Sequence, residues 1–127
     1  MSAPLRGKAR QLLESFVDAL LSNRYADAER AMTGLRDRLA KKGEWGEGYI
    51  FALRGLLDAK RANDRHAFRL DALEDPKELR ELRKEFSAHA KARYHADFDR
   101  GYFSAMRDVM SVLMKKARAQ AQKPQTV

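Results

Sequence analysis

At 127 residues without a cysteine, the chain has the length of one domain and no material for a disulfide, a thiolate metal site or a cysteine nucleophile. Charged side chains make up 35% of it and no apolar run approaches the roughly 18 residues of a membrane span. The N-terminal "MSAPLRGKAR" has no signal-peptide core, so a soluble cytoplasmic protein is expected. The net charge of +8 is uneven, with +3 in residues 1–10, +4 in residues 109–127 and only +1 over residues 11–108.

Glycine and proline are sparse, and no stretch alternates apolar and polar side chains for long, which predicts an all-α fold of about five helices. The first helix is expected over residues 5–22, where Leu12, Leu13, Phe16, Val17, Leu20 and Leu21 share a broad apolar face. "SNRY" breaks it. The second follows over residues 26–42, with Ala28, Met32, Leu35 and Leu39 as its stripe and Gly43 as its stop. The third spans residues 44–62 and ends where "ND" opens a turn. "RHAFRLDAL" is read as a short helical turn laying Phe68 and Leu70 over the core. "DPKE" marks the next start: Asp75 as cap, Pro76 in the first turn and Glu78 three residues on. The fourth helix runs to about residue 94 with Leu79, Leu82, Phe86, His89 and Ala90 on one side. The fifth covers residues 97–119, and residues 120–127 form a disordered tail beyond a single domain of residues 1–119.

One phrase occurs twice. "GYIFALRGLL" begins at Gly48 and "GYFSAMRDVM" at Gly101, with Gly, Tyr, Ala and Arg in register at a spacing of 53 residues. An aromatic, Trp45 or Phe98, precedes each by three positions. The repeat unit is read as a helical hairpin, helices two and three matching helices four and five, with the N-terminal helix packed across both. A glycine inside a helix costs roughly 0.5–1 kcal/mol relative to alanine, so two at equivalent positions point to close helix approach. Tyr49 and Tyr102 are expected to face inward. Arg54 and Arg107 fall nearly opposite the apolar stripe, either on a solvated face, with Asp58 one turn beyond Arg54, or as a matched pair of phosphate or partner contacts. "NRYADAERAM" (residues 23–32) resembles the inter-helix turn of tetratricopeptide-type hairpins. The 53-residue spacing departs from that repeat's roughly 34, and no binding residue is carried over.

Basic ends on a nearly neutral body are a footprint of phosphate-binding proteins. The expected contacts are Arg6, Lys8 and Arg10 at one end, Lys115, Lys116, Arg118 and Lys123 at the other, and Arg54 and Arg107 between them. The expected function is therefore non-catalytic binding of RNA or a ribonucleoprotein particle such as the ribosome. The alternative is a helical-hairpin adaptor for a protein partner. A third reading starts from "RANDRH" (residues 61–66) and "RKEFSAH" (residues 83–89), which place an arginine four to six residues from a histidine. That spacing resembles the motif of HEPN-class ribonucleases, and the resemblance implies metal-independent attack of a ribose 2′-hydroxyl assisted by His66 or His89. "HADFD" sets His95, Asp97 and Asp99 close together, but on a helix they fan around the axis, and Asp97 is better placed as a cap. No phosphate loop, nucleophile elbow or zinc signature appears, so no cofactor and no metal is expected.

Overall fold

A computed structural model of the chain describes residues 3–63 and 75–122, and all regular structure among them is helical. The elements are α1 (Gly7–Leu21), α2 (Tyr25–Leu39), a 3-10 turn (Ala40–Lys42), α3 (Gly43–Ala62), α4 (Pro76–Lys91) and α5 (Asp97–Gln122). The expected turn with Phe68 and Leu70 lies outside the described residues, as does the tail from residue 123 onward.

The helix ends follow from a few residues. The chain's two asparagines both stop helices: Asn23 and Asn63 have φ of +60° and +53°, a left-handed conformation that asparagine tolerates better than most side chains. After α1 the backbone N–H of Arg24 returns to the Ala19 carbonyl at 2.8 Å, closing the last turn. Asp75 caps α4 by accepting from the Lys77 N–H at 3.0 Å, and Pro76 opens the first turn. Gly43, with φ of +57°, separates the 3-10 turn from α3. Helix α4 stops at Lys91, short of the expected end near residue 94, and Ala92 beyond it is extended. Asp97 is the first residue of α5 rather than its cap; the Ala96 carbonyl accepts from the Arg100 N–H. Helix α5 continues to Gln122, beyond the expected end at residue 119.

Helix α5 is the axis of the molecule. It packs on α3 along one side and on α4 along another, and every side chain from Ser104 to Met110 is buried. Helix α1 lies chiefly along α2, adding Leu13, Phe16, Val17 and Leu20 to the core, and meets α5 to a lesser extent. It does not bridge two hairpins. The two repeated glycines sit where α3 crosses α5. A Cβ on Gly48 would overlap the carbonyl oxygen of Phe98 and lie 2.7 Å from its carbonyl carbon. A Cβ on Gly101 would overlap the carbonyl oxygen of Trp45, again 2.7 Å from the carbonyl carbon. Each glycine thus seats the backbone that precedes the other copy of the phrase, and any side chain there would force the helices apart.

The same crossing buries a polar group. The Tyr49 hydroxyl, fully buried, donates to Asp108 Oδ2 at 2.8 Å, and Arg107 Nε donates to Asp108 Oδ1 at 3.1 Å. Burial is the largest influence on Asp108 and pushes its carboxyl above the ordinary value, against the pull of Arg107 and the Tyr49 hydrogen bond. Tyr49 is driven well up, first by burial and then by the Asp108 charge, so its hydroxyl keeps its proton and remains a donor.

Candidate nucleic-acid interface

Helix α4 sorts its side chains by charge. At about 100° per residue, Arg80, Arg83, Lys84, Ser87, Ala88 and Lys91 occupy one arc of about 140°, while Leu79, Leu82, Phe86 and Ala90 occupy the arc on one side of it. The acids Glu78, Glu81 and Glu85 fall on the other side. The helix sums to only +2, yet its basic side chains share one face and its acids lie off it. That face forms the wall of a groove of about 690 Å³ whose floor is Arg107 and Ser111 of α5. No carboxylate lines the groove, and Arg80, Arg83, Lys84 and Lys91 have no ion-pair partner among the described residues.

A second groove, of about 570 Å³, lies between the start of α1 and the end of α2. Its cations are Arg6, Lys8, Arg38 and Lys42, again with no acid in the lining. Trp45 closes one side; its indole Nε1 is buried without a hydrogen-bond partner among the described residues, and Lys42 Nζ sits 5.8 Å from its ring centroid. Pro4 lines both grooves. The N-terminal segment therefore adjoins both, and the two neighbouring grooves together are the cationic track.

The residues expected from the sequence separate on this surface. Arg6 and Lys8 lie exposed on the track. Arg10 is half-buried, and its charge acts inward on Asp108 and Tyr49. Arg54 does not pair with Asp58; it reaches across to Glu29 Oε1 at 3.0 Å and holds that carboxyl below its ordinary value. Arg107 is not a surface residue. It is only 5% exposed, because α5 is covered on several sides and the face opposite its contact with α3 is buried too, and it pairs with Asp108. Lys115 bonds to Glu14 at 2.6 Å and Lys116 to Asp18, so α1 supplies the acids that the C-terminal sequence lacks. Arg118 is exposed, with no partner among the described residues, and Lys123 lies outside them. Arg54 and Arg107 are thus not a matched pair in space.

The cations missed from the sequence are Arg38, Lys42 and the α4 face. Net charge per segment understates them, because Glu78, Glu81 and Glu85 offset three of the five α4 cations. The spacing Arg80, Lys84, Lys91 on a helical wheel is the signal that finds them.

The histidines occupy a different place. His89 Nδ1 and His95 Nε2 are 3.1 Å apart, and both rings pack on Phe103. Arg83 faces the cationic groove instead, since six residues on a helix turn it about 120° from His89. His66 lies outside the described residues. Among the described residues no group of three or more His, Cys, Asp or Glu side chains converges on a metal site, and no helix is long and apolar enough to cross a membrane. No protein-family model, curated protein or solved structure matches the chain.

Proposed function

We propose that the protein binds RNA, free or in a ribonucleoprotein particle such as the ribosome, without catalysing a reaction. The observation that carries this reading is the pair of neighbouring acid-free cationic grooves that share Pro4. A chain of guanidinium and ammonium groups with no carboxylate between them suits a run of phosphates, and releasing the counterions of those phosphates drives binding without choice of sequence. The C-terminal cations contribute less, because Lys115 and Lys116 are held by α1. The repeated phrase serves this as scaffold. Its reading as a duplicated hairpin is supported by the reciprocal glycine contacts, and the crossing fixes α5, on which the cationic helix α4 lies.

Binding isotherms against an RNA oligonucleotide at several salt concentrations test the proposal. If Arg80, Arg83, Lys84 and Lys91 neutralise four phosphates, replacing all four by glutamine flattens the slope of log K against log salt by about 3, at roughly 0.7 per single-strand phosphate. The melting temperature should stay nearly unchanged, since none of the four has an ion-pair partner to lose. Replacing Lys115, Lys116 and Arg118 should flatten the slope less. A wild-type protein that binds no RNA, or a slope indifferent to the α4 cations, overturns the reading.

A further inference from the structure

The large apolar side chains left in solvent among the described residues are Phe51, 59% exposed, and Tyr94, 80% exposed. They are the two ends of one band of rings. Phe51 packs against Phe98 and Tyr102, with centroids 5.5 and 6.3 Å away. Tyr102 meets Phe103 edge-on at 5.5 Å, Phe103 meets His95 at 5.3 Å, and His95 meets Tyr94 at 4.4 Å. Ring packing from beneath holds each exposed ring while leaving much of it open to solvent.

Both ends of the band adjoin the cations. Phe51 lines a groove of about 560 Å³ with Leu39, Ile50 and Phe98, with Arg36, Arg54 and one carboxylate, Glu47, in the same lining. Leu39, itself buried, also lines the groove of Arg6, Lys8, Arg38 and Lys42, so the aromatic and cationic grooves are neighbours. Tyr94 stands three residues beyond Lys91, a cation of the α4 groove.

We infer that the phosphate-binding surface proposed above is built for single-stranded RNA, and that Phe51 and Tyr94 are stacking platforms for its unpaired bases. This inference rests on the RNA-binding reading and adds the class of ligand. A duplex hides its base faces and offers only phosphates and groove edges, so it has no use for an open phenyl ring beside a cation track. A single strand offers both a charged backbone and an apolar base face, and it matches the two surfaces together. Arg36 has no ion-pair partner among the described residues, which leaves its charge for the backbone next to a base seated on Phe51.

The test compares wild type, Phe51→Leu, Phe51→Trp and Tyr94→Leu on a single-stranded oligouridine and on an RNA duplex of equal length. Leucine keeps an apolar surface and removes the ring face; tryptophan keeps the face. Losing one stack should weaken single-strand binding roughly 5- to 150-fold, with an unchanged salt slope, while duplex binding stays the same. Phe51→Trp should bind the single strand at least as well as wild type. Equal loss on both RNAs, or no loss on either, refutes the platforms while leaving the cation track standing. Wild type that self-associates, with Phe51→Leu monomeric by sedimentation, shows instead that the groove receives a second copy, and the inference fails. Absence of salt-dependent binding to either RNA fails the underlying function and the inference with it.

Discussion

The two copies of the repeated phrase have the same letters and different surroundings. At Gly48 and Gly101 they are equivalent, each seating the other's preceding backbone. One residue later the equivalence ends: Tyr49 is fully buried and bonded to Asp108, while Tyr102 is half-buried among rings. Five residues further on, Arg54 holds Glu29 near the surface and Arg107 holds Asp108 in the core. Phe51 stands in solvent, and its counterpart Ser104 is buried. The difference is one of position in the fold. Helix α5 has both α3 and α4 packed against it, whereas α3 has a side that no described residue covers. A repeated phrase therefore fixes the crossing it encodes, and neighbours decide the rest.

The largest effect should come from the polar group that only one copy buries. Asp108→Ala leaves Arg107 in the core without the carboxylate and removes the acceptor of the Tyr49 hydroxyl. Stability should fall by about 3–5 kcal/mol, the usual cost of breaking a buried ion pair from one side. Chemical denaturation measures this directly. A loss below about 1 kcal/mol, within the range of exposed pairs, would show that the site is wet and that the contrast between Arg54 and Arg107 is superficial.

Next in size is the feature the copies share. Gly48→Ala and Gly101→Ala should each cost about 3 kcal/mol, at the upper end for overpacking, because the added carbon meets backbone rather than a movable side chain. Gly55→Ala is the internal control. Gly55 also lies within α3, but nothing stands within 4 Å of its would-be Cβ, so alanine there should stabilise by about 0.5–1 kcal/mol through helix propensity alone. Unequal losses at Gly48 and Gly101 would break the reciprocity of the crossing.

That crossing was legible in the sequence because it rests on a local and costly choice: glycine inside a helix, twice, at one register. The helix stops at Asn23 and Asn63 and the start at Asp75 were legible for the same reason, as residues with a backbone preference of their own, whereas α2 ends at Leu39, before the expected stop at Gly43. Burial of Arg107 was not legible. A wheel drawn for one helix shows a stripe and its opposite but not how many neighbours a helix has. The candidate interface divided in the same way. Arg6 and Lys8 were found by counting charge at the chain end, and both line the track. Lys115 and Lys116 were found by that count too, but their compensating acids sit on a helix a hundred residues away in sequence. The α4 face escaped because three glutamates offset most of its charge in the sum and are separated from it only by helical rotation.

The tyrosines sharpen the comparison at smaller cost. Tyr49→Phe removes a donor to a buried carboxylate and should destabilise by about 1.5 kcal/mol, at the low end for hydrogen bonds to charged groups. Tyr102→Phe should change stability by no more than about 0.5 kcal/mol, since the half-buried ring keeps its packing. Equal effects in parallel melts would mean that the two hydroxyls have similar surroundings after all.

The smallest expected effect is a slope. Burial raises the Asp108 carboxyl above its ordinary value of 3.8, with Arg107 opposing. The folded protein then holds this proton more tightly than the unfolded chain does. The resulting stabilisation is fully present below the unfolded value and is lost as pH rises through the folded one. Asp27 and Glu29 act in the opposite sense, because their arginine partners lower them, and their contribution is lost as pH falls. Both remain in Asp108→Asn, so the difference in stability between wild type and Asp108→Asn isolates the buried carboxyl. That difference should shift against the wild type as pH rises from about 4 and then level off. Denaturant melts of both proteins across the acidic to neutral range supply it. A difference that instead moves in favour of the wild type with rising pH would show that Arg107 and Tyr49 outweigh burial, and that the core holds Asp108 as a well-stabilised anion.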